Sequence, residues 1–201
     1  MKIIVTGFDP FGGEPINPSW EAVKRLDGEI HGHTIIKIQL PTVFGAAGEI
    51  LTKAIRAHRP HQVICVGQAG GRRGITVERI AVNLRDAKTP DNAGNRPQDE
   101  PIRPEGETAY FATLPIKAIV EEIQKNGISA AVSNSAGTYV CNDVMYTALH
   151  LAAREFPAMK CGFIHVPYVP EQVSEKPEGT PSMTMDDIVR ALTLAVKTLM
   201  E

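Results

Sequence analysis

The chain begins with Lys2-Ile3-Ile4-Val5-Thr6-Gly7-Phe8-Asp9-Pro10-Phe11-Gly12-Gly13, an apolar run that passes into a glycine-rich loop. The β-branched residues 3–6 before a glycine predict a short buried strand. Asn17-Pro18 follows, and asparagine as N-cap with proline at the first helical position predicts a helix start. A strand, a loop and a helix in this order form the repeating unit of α/β folds.

The same order recurs along the rest of the chain. Hydrophobic periodicity predicts further strands and helices in alternation. The predicted strands span 34–40, 61–67, 77–84, 128–133 and 161–166, and the predicted helices span 44–59 and 115–125, with others beginning near 141 and at 184. This alternation predicts an α/β fold, a single-domain α/β/α sandwich over residues 1–201 with a mostly parallel central sheet.

Two segments interrupt the alternation. Residues 85–108 hold four of the 15 prolines and ten charged residues with little periodicity, and a second proline-rich segment covers 167–181. Irregular segments of this length within a compact domain are usually functional, so the first is predicted to lie at a site or at a subunit contact.

Composition narrows the classes of function. The formal net charge is -2, from 21 Lys and Arg against 23 Asp and Glu, without a block of like charge, which argues against a nucleic-acid or anionic-membrane surface. No apolar run approaches a membrane span, and no secretory signal is recognisable. Three cysteines in such a chain predict reduced thiols in the cytoplasm rather than a disulfide frame, which leaves a thiol available for chemistry.

The most informative segment is Ser133-Asn134-Ser135-Ala136-Gly137-Thr138-Tyr139-Val140-Cys141-Asn142-Asp143. Its small polar residues predict a tight loop between a strand and a helix, with Cys141 in the first turn of the helix. Free N–H groups at such a position can lower a thiol pKa from about 8.5 towards neutrality and can hold an oxyanion. The alternative is a small packing residue, an interpretation that suits Cys65 and Cys161 better.

A nucleophilic cysteine needs a base, and His165 is the candidate. It lies near the end of a predicted strand. If the neighbouring strands are parallel, their carboxyl ends meet at one edge of the sheet, and His165 would lie there close to Cys141. A purely structural histidine is the alternative. The other histidines fall on turns, at a helix–strand corner or on the wrong helix face: His31, His33, His58, His61 and His150.

A third group should orient the imidazole, and Glu78 is a carboxylate within an apolar strand pattern. Its alternative is an ion pair with Arg72, Arg73 or Arg79. The phenyl rings of Phe8 and Phe11, in a glycine loop at a strand end, favour a small apolar pocket over the alternative of core packing.

Four segments together resemble the pyroglutamyl-peptidase I family, also called pyrrolidone-carboxylate peptidase. The cysteine segment is the most specific of them, and the resemblance covers essentially the whole chain in order. The matching segments are residues 7–13 with 17–19, 70–72 with 78–83, 133–142, and 165–168.

The resemblance implies a cysteine peptidase that removes N-terminal pyroglutamate from peptides, with Glu78, Cys141 and His165 as a catalytic triad. It further implies a cytosolic enzyme that assembles as a homotetramer and needs no cofactor and no metal. Positions associated with the lactam pocket in the family correspond to Phe8, Phe11, Gln68 and Val140.

One departure from the family pattern is visible at Lys88. Many relatives carry arginine near this position, and lysine keeps the charge but lacks the planar fork of a guanidinium. A bidentate contact from this position is therefore not expected.

Two alternatives from other classes remain at this stage. A nucleoside phosphorylase-like enzyme would use the glycine-rich loop Gly67–Gly74 for phosphate, although that loop lacks the Gly-Lys-Ser/Thr ending of a P-loop. A non-catalytic peptide-binding domain would use Cys141 for packing alone.

Overall fold

The computed structural model of the protein describes residues 1–199. The strands are β1 (Lys2–Phe8), β2 (Glu29–Ile30), β3 (His33–Leu40), β4 (Gln62–Gln68), β5 (Ile75–Glu78), β6 (Ile80–Val82), β7 (Ala109–Phe111), β8 (Ala130–Ser133) and β9 (Lys160–Val166). The helices are α1 (Pro18–Arg25), α2 (Ala46–His58), α3 (Ile116–Lys125), α4 (Val140–Arg154) and α5 (Met185–Thr198), with a 3-10 turn at Pro170–Gln172. Helices and strands alternate over much of the chain, with runs of consecutive strands at β2–β3 and β4–β7.

A seven-stranded sheet runs through the molecule in the order β2-β3-β1-β4-β9-β5-β8. Its centre is parallel, because β1 pairs in parallel with β3 and with β4, and β4 pairs in parallel with β9. β5 pairs antiparallel to β9 and parallel to β8, so these last two strands run in the reverse direction. The α/β prediction with a mostly parallel sheet is confirmed.

Helices cover both faces of this sheet. On one face, residues of α1, α3 and α5 form one hydrophobic cluster with β-strand residues such as Val66 and Ile164. On the other face, α2 and α4 form a second cluster with strand residues such as Val63 and Phe163. Residues that alternate along a strand therefore belong alternately to the α5 face and to the α4 face.

The strand predicted over 77–84 is wrong in its extent. It is divided into β5, in the main sheet, and β6, which pairs with β7 in a separate two-stranded ribbon. The chain leaves the sheet at Arg79, whose N–H still donates to Ser133 O while its carbonyl accepts from Ala112 N. The pattern is irregular at this point, where the charged pair Glu78-Arg79 precedes the apolar run Ile80-Ala81-Val82, and both sides still have the composition of a strand.

Within residues 1–199, no helix combines the length and the hydropathy that crossing a bilayer requires.

Candidate active site

Cys141 lies in the first turn of α4, as predicted. Tyr139 is the N-cap in an extended conformation, and Gly137 has a φ of 82°, which makes the tight turn before the helix accessible to the chain. No side chain caps this end of α4, and Asp143 N is the first amide to donate to Tyr139 O. The earlier N–H groups of α4 are therefore available near the thiol.

The thiol of Cys141 packs against the end of β4. A Cβ atom placed on Gly67 would lie 2.9 Å from Cys141 Sγ and 2.7 Å from Phe163 Cζ, closer than real Cβ contacts allow. Glycine at position 67 therefore creates the space that the sulfur occupies. Gly67 is also the register partner of His165 in the β4–β9 pair.

The predicted lowering of the Cys141 pKa is not what the structure shows. Burial raises the pKa of the thiol to about 12, the negative charge of Glu78 adds to the rise, and Arg72 opposes it. Cys65 and Cys161 are fully buried, and burial raises both of their pKa values, which agrees with their interpretation as packing residues.

His165 is held in one orientation by Glu78. Its Nδ1 lies 2.7 Å from Glu78 Oε1, and His165 is only 4% exposed. A carboxylate accepts hydrogen bonds, so Nδ1 carries the proton and Nε2 is left as the basic nitrogen. Burial lowers the pKa of His165, while the hydrogen bond and the charge of Glu78 oppose that lowering.

Glu78 satisfies both interpretations that the sequence left open. Its Oε1 accepts from Arg72 Nη1 at 2.6 Å as well as from His165, so the residue orients the histidine and forms the ion pair. Burial opposes its ionisation, but the hydrogen bond and charge of His165, helped by Ser133 and Arg72, hold the pKa of Glu78 below its ordinary value. Glu78 is therefore a buried, ionised acceptor.

The predicted route by which these residues meet is wrong. β8, which precedes Cys141, is not adjacent to β9, because the antiparallel β5 lies between them. The loop at 134–139 instead joins the edge strand β8 to α4, which packs against β4 and β9. Val77 and Ile164 belong to the α5-face cluster, so the alternate residues Glu78 and His165 point to the α4 face, on which Cys141 lies.

Cys141, His165 and Glu78 thus lie on one face of the sheet, and His165 and Glu78 are joined by a hydrogen bond. The structure gives no hydrogen bond between Cys141 Sγ and His165 in the described part of the chain. Catalytic hydrogen bonds are often long in unoccupied sites and shorten when substrate binds, so this arrangement is compatible with proton transfer between them.

The phenylalanines predicted for the pocket lie around these groups. The Phe8 ring packs against Phe163 at a centroid distance of 6.4 Å, and Phe163 packs against His165 at 4.7 Å. Phe11 is partly exposed and lies 6.3 Å from the Tyr139 ring. Phe8 is only 2% exposed and belongs to the α4-face cluster, so its ring is packed in the core, whereas Phe11 lies beside the start of α4.

The side chains of Val140 and Gln68 do not face the region beside Cys141. Val140 is fully buried in the α4-face cluster. Gln68 alternates with Gly67, so its side chain points to the α5 face, where Gln172 Nε2 donates to its Oε1 at 3.2 Å. Any contact of Gln68 with a ligand near Cys141 would therefore come from its backbone.

Sequence reasoning missed Gln172, which is 7% exposed and bonds to Glu14 Oε2 as well as to Gln68. These two partners are more than a hundred residues away in the sequence, and no local pattern signals them. Lys88 is exposed in the 85–108 segment. In residues 1–199 no cluster of three or more histidine, cysteine or acidic side chains has the arrangement of a metal site.

The chain is similar to known proteins over its whole length. The family model for pyroglutamyl peptidase matches residues 1–201. A pyrrolidone-carboxylate peptidase of Lactobacillus johnsonii is 55% identical over 201 residues, which are 100% of this chain and 93% of that protein.

Solved structures show the same similarity. Pyroglutamyl peptidase I of Bacillus amyloliquefaciens superposes with a TM-score of 0.94 at 51% identity, covering 98% of this chain and 96% of that one. A mutant pyrrolidone carboxyl peptidase of Pyrococcus furiosus gives a TM-score of 0.96 at 47% identity, covering 100% of this chain and 98% of that one. With the family model matched from end to end, the chain belongs to the pyroglutamyl peptidase family and is a cysteine-type hydrolase.

Proposed function

We propose that this protein removes N-terminal pyroglutamate from peptides and proteins, with Cys141 as nucleophile, His165 as acid and base, and Glu78 as the group that orients His165. The observation that carries the proposal is the 2.7 Å contact between His165 Nδ1 and Glu78 Oε1 on the face where Cys141 lies. This contact fixes the tautomer that leaves Nε2 free to accept a proton.

In the first half of the reaction, His165 Nε2 takes the thiol proton as Cys141 Sγ forms a bond to the pyroglutamyl carbonyl carbon. Because burial raises the pKa of the thiol, His165 is needed as the base that removes its proton. The carbonyl π electrons move onto oxygen, and the free N–H groups at the start of α4 stabilise that oxyanion. When the C–N bond breaks, the nitrogen of the departing peptide takes the proton from His165.

In the second half, water hydrolyses the thioester. His165 Nε2 accepts a proton from the water as its oxygen bonds to the carbonyl carbon. The sulfur leaves as the tetrahedral intermediate collapses, and the proton on His165 returns to it. Free pyroglutamate departs, and the thiol and the neutral imidazole are restored.

The lactam pocket is proposed to involve Phe8, Phe11 and, through their backbone groups, Gln68 and Val140. Pyroglutamate is a neutral ring without an ammonium group, so aromatic side chains with a few backbone hydrogen bonds suit it, whereas an acidic anchor would not. Sites that hydrogen-bond one substrate group strongly reject analogues that lack it. Prolyl peptides, which lack the lactam carbonyl, should therefore be very poor substrates.

We also propose one peptidase domain over residues 1–201, a homotetramer and a cytoplasmic location. The family match over residues 1–201 supports the first, the family resemblance supports the second, and the three free cysteines support the third. Light scattering of the purified protein measures the oligomeric mass directly, and a monomeric mass would overturn the tetramer.

The test of the proposed function is release of a chromogenic amine from a pyroglutamyl amide. Cys141→Ser should abolish turnover, and Cys161→Ser, which changes a buried packing thiol, is the matched control that should keep it. Iodoacetamide should label Cys141, which is partly accessible, faster than the buried Cys65 and Cys161. An inactive wild-type protein, or full activity in Cys141→Ser, would contradict the proposal.

The family assignment argues against both alternative functions. Packing alone accounts for the glycine at position 70, because a Cβ atom there would lie 2.1 Å from Tyr168 Cζ. Its presence is therefore not evidence for a phosphate-binding loop. Turnover that requires inorganic phosphate would nevertheless support the phosphorylase alternative. A protein that binds pyroglutamyl peptides without releasing the amine would support the binding-domain alternative.

A further inference from the structure

Arg72 is the cation nearest to the Glu78–His165 pair, and its place follows from the turn before β5. Gly71, with a φ of 83°, lies in the turn before β5, and the Arg72 side chain extends forward along β5. Its Nη1 donates to Thr76 Oγ1 and to Glu78 Oε1, the second at 2.6 Å. Thr76 is the register partner of His165, so the guanidinium crosses the strand directly beside the imidazole.

The carboxylate of Glu78 is bound on one oxygen only. Oε1 accepts from both Arg72 and His165, whereas Oε2 is buried and has no hydrogen-bond partner in the described residues. Ser133, opposite Glu78 in the β5–β8 pair, directs its hydroxyl to the carbonyl of Ser135. Without the guanidinium, Glu78 would keep only His165 and the Ser133 side chain to restrain its carboxylate, and the carboxylate would rotate more freely.

We propose that Arg72 is a positioning residue, which holds the carboxylate of Glu78 in the orientation that fixes the Nδ1–H form of His165. This inference rests on the proposed peptidase function. Arg72 acts through Glu78 and makes no contact with the reacting atoms. Its side chain is 31% exposed while that of Glu78 is 0% exposed, so the guanidinium closes the solvent side of a buried carboxylate.

The charge of Arg72 has a second effect on the same pair. It lowers the pKa of His165 and opposes the rise in the pKa of Cys141. The attacking step needs neutral His165, so the acid limb of kcat/KM reports the protonation of this residue. Loss of the cation should raise the His165 pKa, because the positive charge that disfavours protonation of His165 is removed. Glu78 stays ionised, since its interaction with His165 is stronger than that with Arg72.

The experiment measures kcat and KM for a pyroglutamyl chromogenic amide against pH in four proteins: wild type, Arg72→Gln, Arg72→Lys and Arg73→Gln. Arg73 is the matched control, since it is an exposed arginine one residue away and makes no ion pair among the described residues. Arg72→Gln should lower kcat by about 10-fold to 100-fold with little change in KM, because the base is misplaced. Its acid limb should move up by about one pH unit.

Arg72→Lys should return the acid limb close to its wild-type position, because it restores the charge. It should recover only part of kcat, since the ammonium on the flexible lysine stem is less preorganised than the rigid guanidinium, whose Nη1 donates to both Thr76 and Glu78. Arg73→Gln should match wild type in both quantities. If Arg72→Gln does not fold, Arg72→Lys still tests the proposal, because its acid limb should match wild type while its kcat stays lower.

Three results would overturn the positioning role. These are an unchanged or lowered acid limb with unchanged kcat in Arg72→Gln, full recovery of kcat in Arg72→Lys, and an equal loss of kcat in Arg73→Gln. None of them bears on the proposed function, which fails separately if the wild-type protein releases no amine or if Cys141→Ser keeps its activity.

Discussion

The two irregular segments of the chain, 85–108 and 167–181, are attached to the rest of the molecule in different ways. Buried carboxylates hold the first segment, and a partly exposed ion pair holds the second. The first is joined to α4, which carries Cys141, and the second to the glycine-rich loop that carries Phe11. Segments that look alike in composition therefore differ in how strongly their attachments affect the site.

Segment 85–108 contacts α4 and the turn before it at several successive residues. Arg85 donates from Nε and Nη2 to Asp143 Oδ1, and Gly45 N donates to Asp143 Oδ2. Further along, Asp86 exchanges hydrogen bonds with Thr138, and Tyr139 Oη donates to Pro90 O. The turn before Cys141 is thus held from outside the helix.

The attachment of 167–181 is smaller. Lys176 Nζ lies 2.6 Å from Glu14 Oε1 and also 4.7 Å from the centre of the Tyr168 ring. Gln172 adds a hydrogen bond to Glu14 Oε2. Exposed and partly exposed pairs of this kind contribute little to stability and are screened by salt.

The largest effect is expected at Asp143, whose side chain is 1% exposed. Asp143→Ala should lower the free energy of unfolding by about 3 kcal/mol, because it leaves the Arg85 guanidinium and the Gly45 amide without their acceptor. Urea denaturation measures the loss. Asp187→Ala is the matched control, since Asp187 also lies in a helix first turn and pairs with an arginine, but is 42% exposed.

For Asp187→Ala we expect a loss below about 1 kcal/mol. Equal losses in the two variants would mean that burial of the carboxylate does not distinguish the first segment, and the comparison between the segments would then have no energetic basis.

The second prediction concerns Asp91, the acceptor at the centre of the 85–108 segment. Its Oδ1 accepts from Ala93 N and Asn95 N, and its Oδ2 accepts from Phe44 N and Asn95 Nδ2. Asp91→Ala should cost about 2 kcal/mol and increase hydrogen exchange at these amides, because their bonds to a charged acceptor are lost. Glu105→Ala, at an exposed position in the same segment, is the control and should leave exchange unchanged.

The same carboxylate gives a pH dependence. Burial opposes ionisation, but the hydrogen bonds from Asn95, Phe44 and Ala93 hold the pKa of Asp91 below its ordinary value. A lowered folded-state pKa contributes stability that is present above the unfolded value, about 4, and is lost as pH falls through the folded value. Protection of the Phe44 and Asn95 amides should therefore fall below about pH 4. Protection that is independent of pH would contradict this role.

Local patterns predicted most of the fold. Asn17 caps α1 through its Oδ1 and Pro18 begins the helix, as the sequence indicates, and Cys141 lies in the first turn of α4. The reversed direction of β5 and β8, the division at Arg79 and the short β2 and β7 were not predicted. Strand direction and pairing depend on contacts distant in sequence, and alternation of side chains is the same in either direction.

The site was predictable by residue type and less so by environment. Cys141 was recognised from its loop, but its raised pKa depends on burial against Gly67 and on the nearby charge of Glu78, which only the tertiary structure provides. Glu78 stood out as a carboxylate in an apolar strand. That one oxygen serves both His165 and Arg72 could not be inferred from spacing, because the two donors approach from β9 and from the turn before β5.

The smallest effect is expected at the attachment of 167–181. Glu14→Gln removes the charge that Lys176 contacts while retaining the shape of the side chain, which is 19% exposed. We expect KM for a pyroglutamyl amide to rise less than about fivefold, since the Phe11 loop loses one partly exposed tie worth below about 1 kcal/mol. The difference from wild type should shrink further at high salt, where the wild-type pair is itself screened.

Glu178→Gln, an exposed acid in the same segment, is the control for net charge. A large loss of stability that salt does not change would show that this tie is as strong as the Asp143 attachment, and the contrast between the two segments would then be wrong.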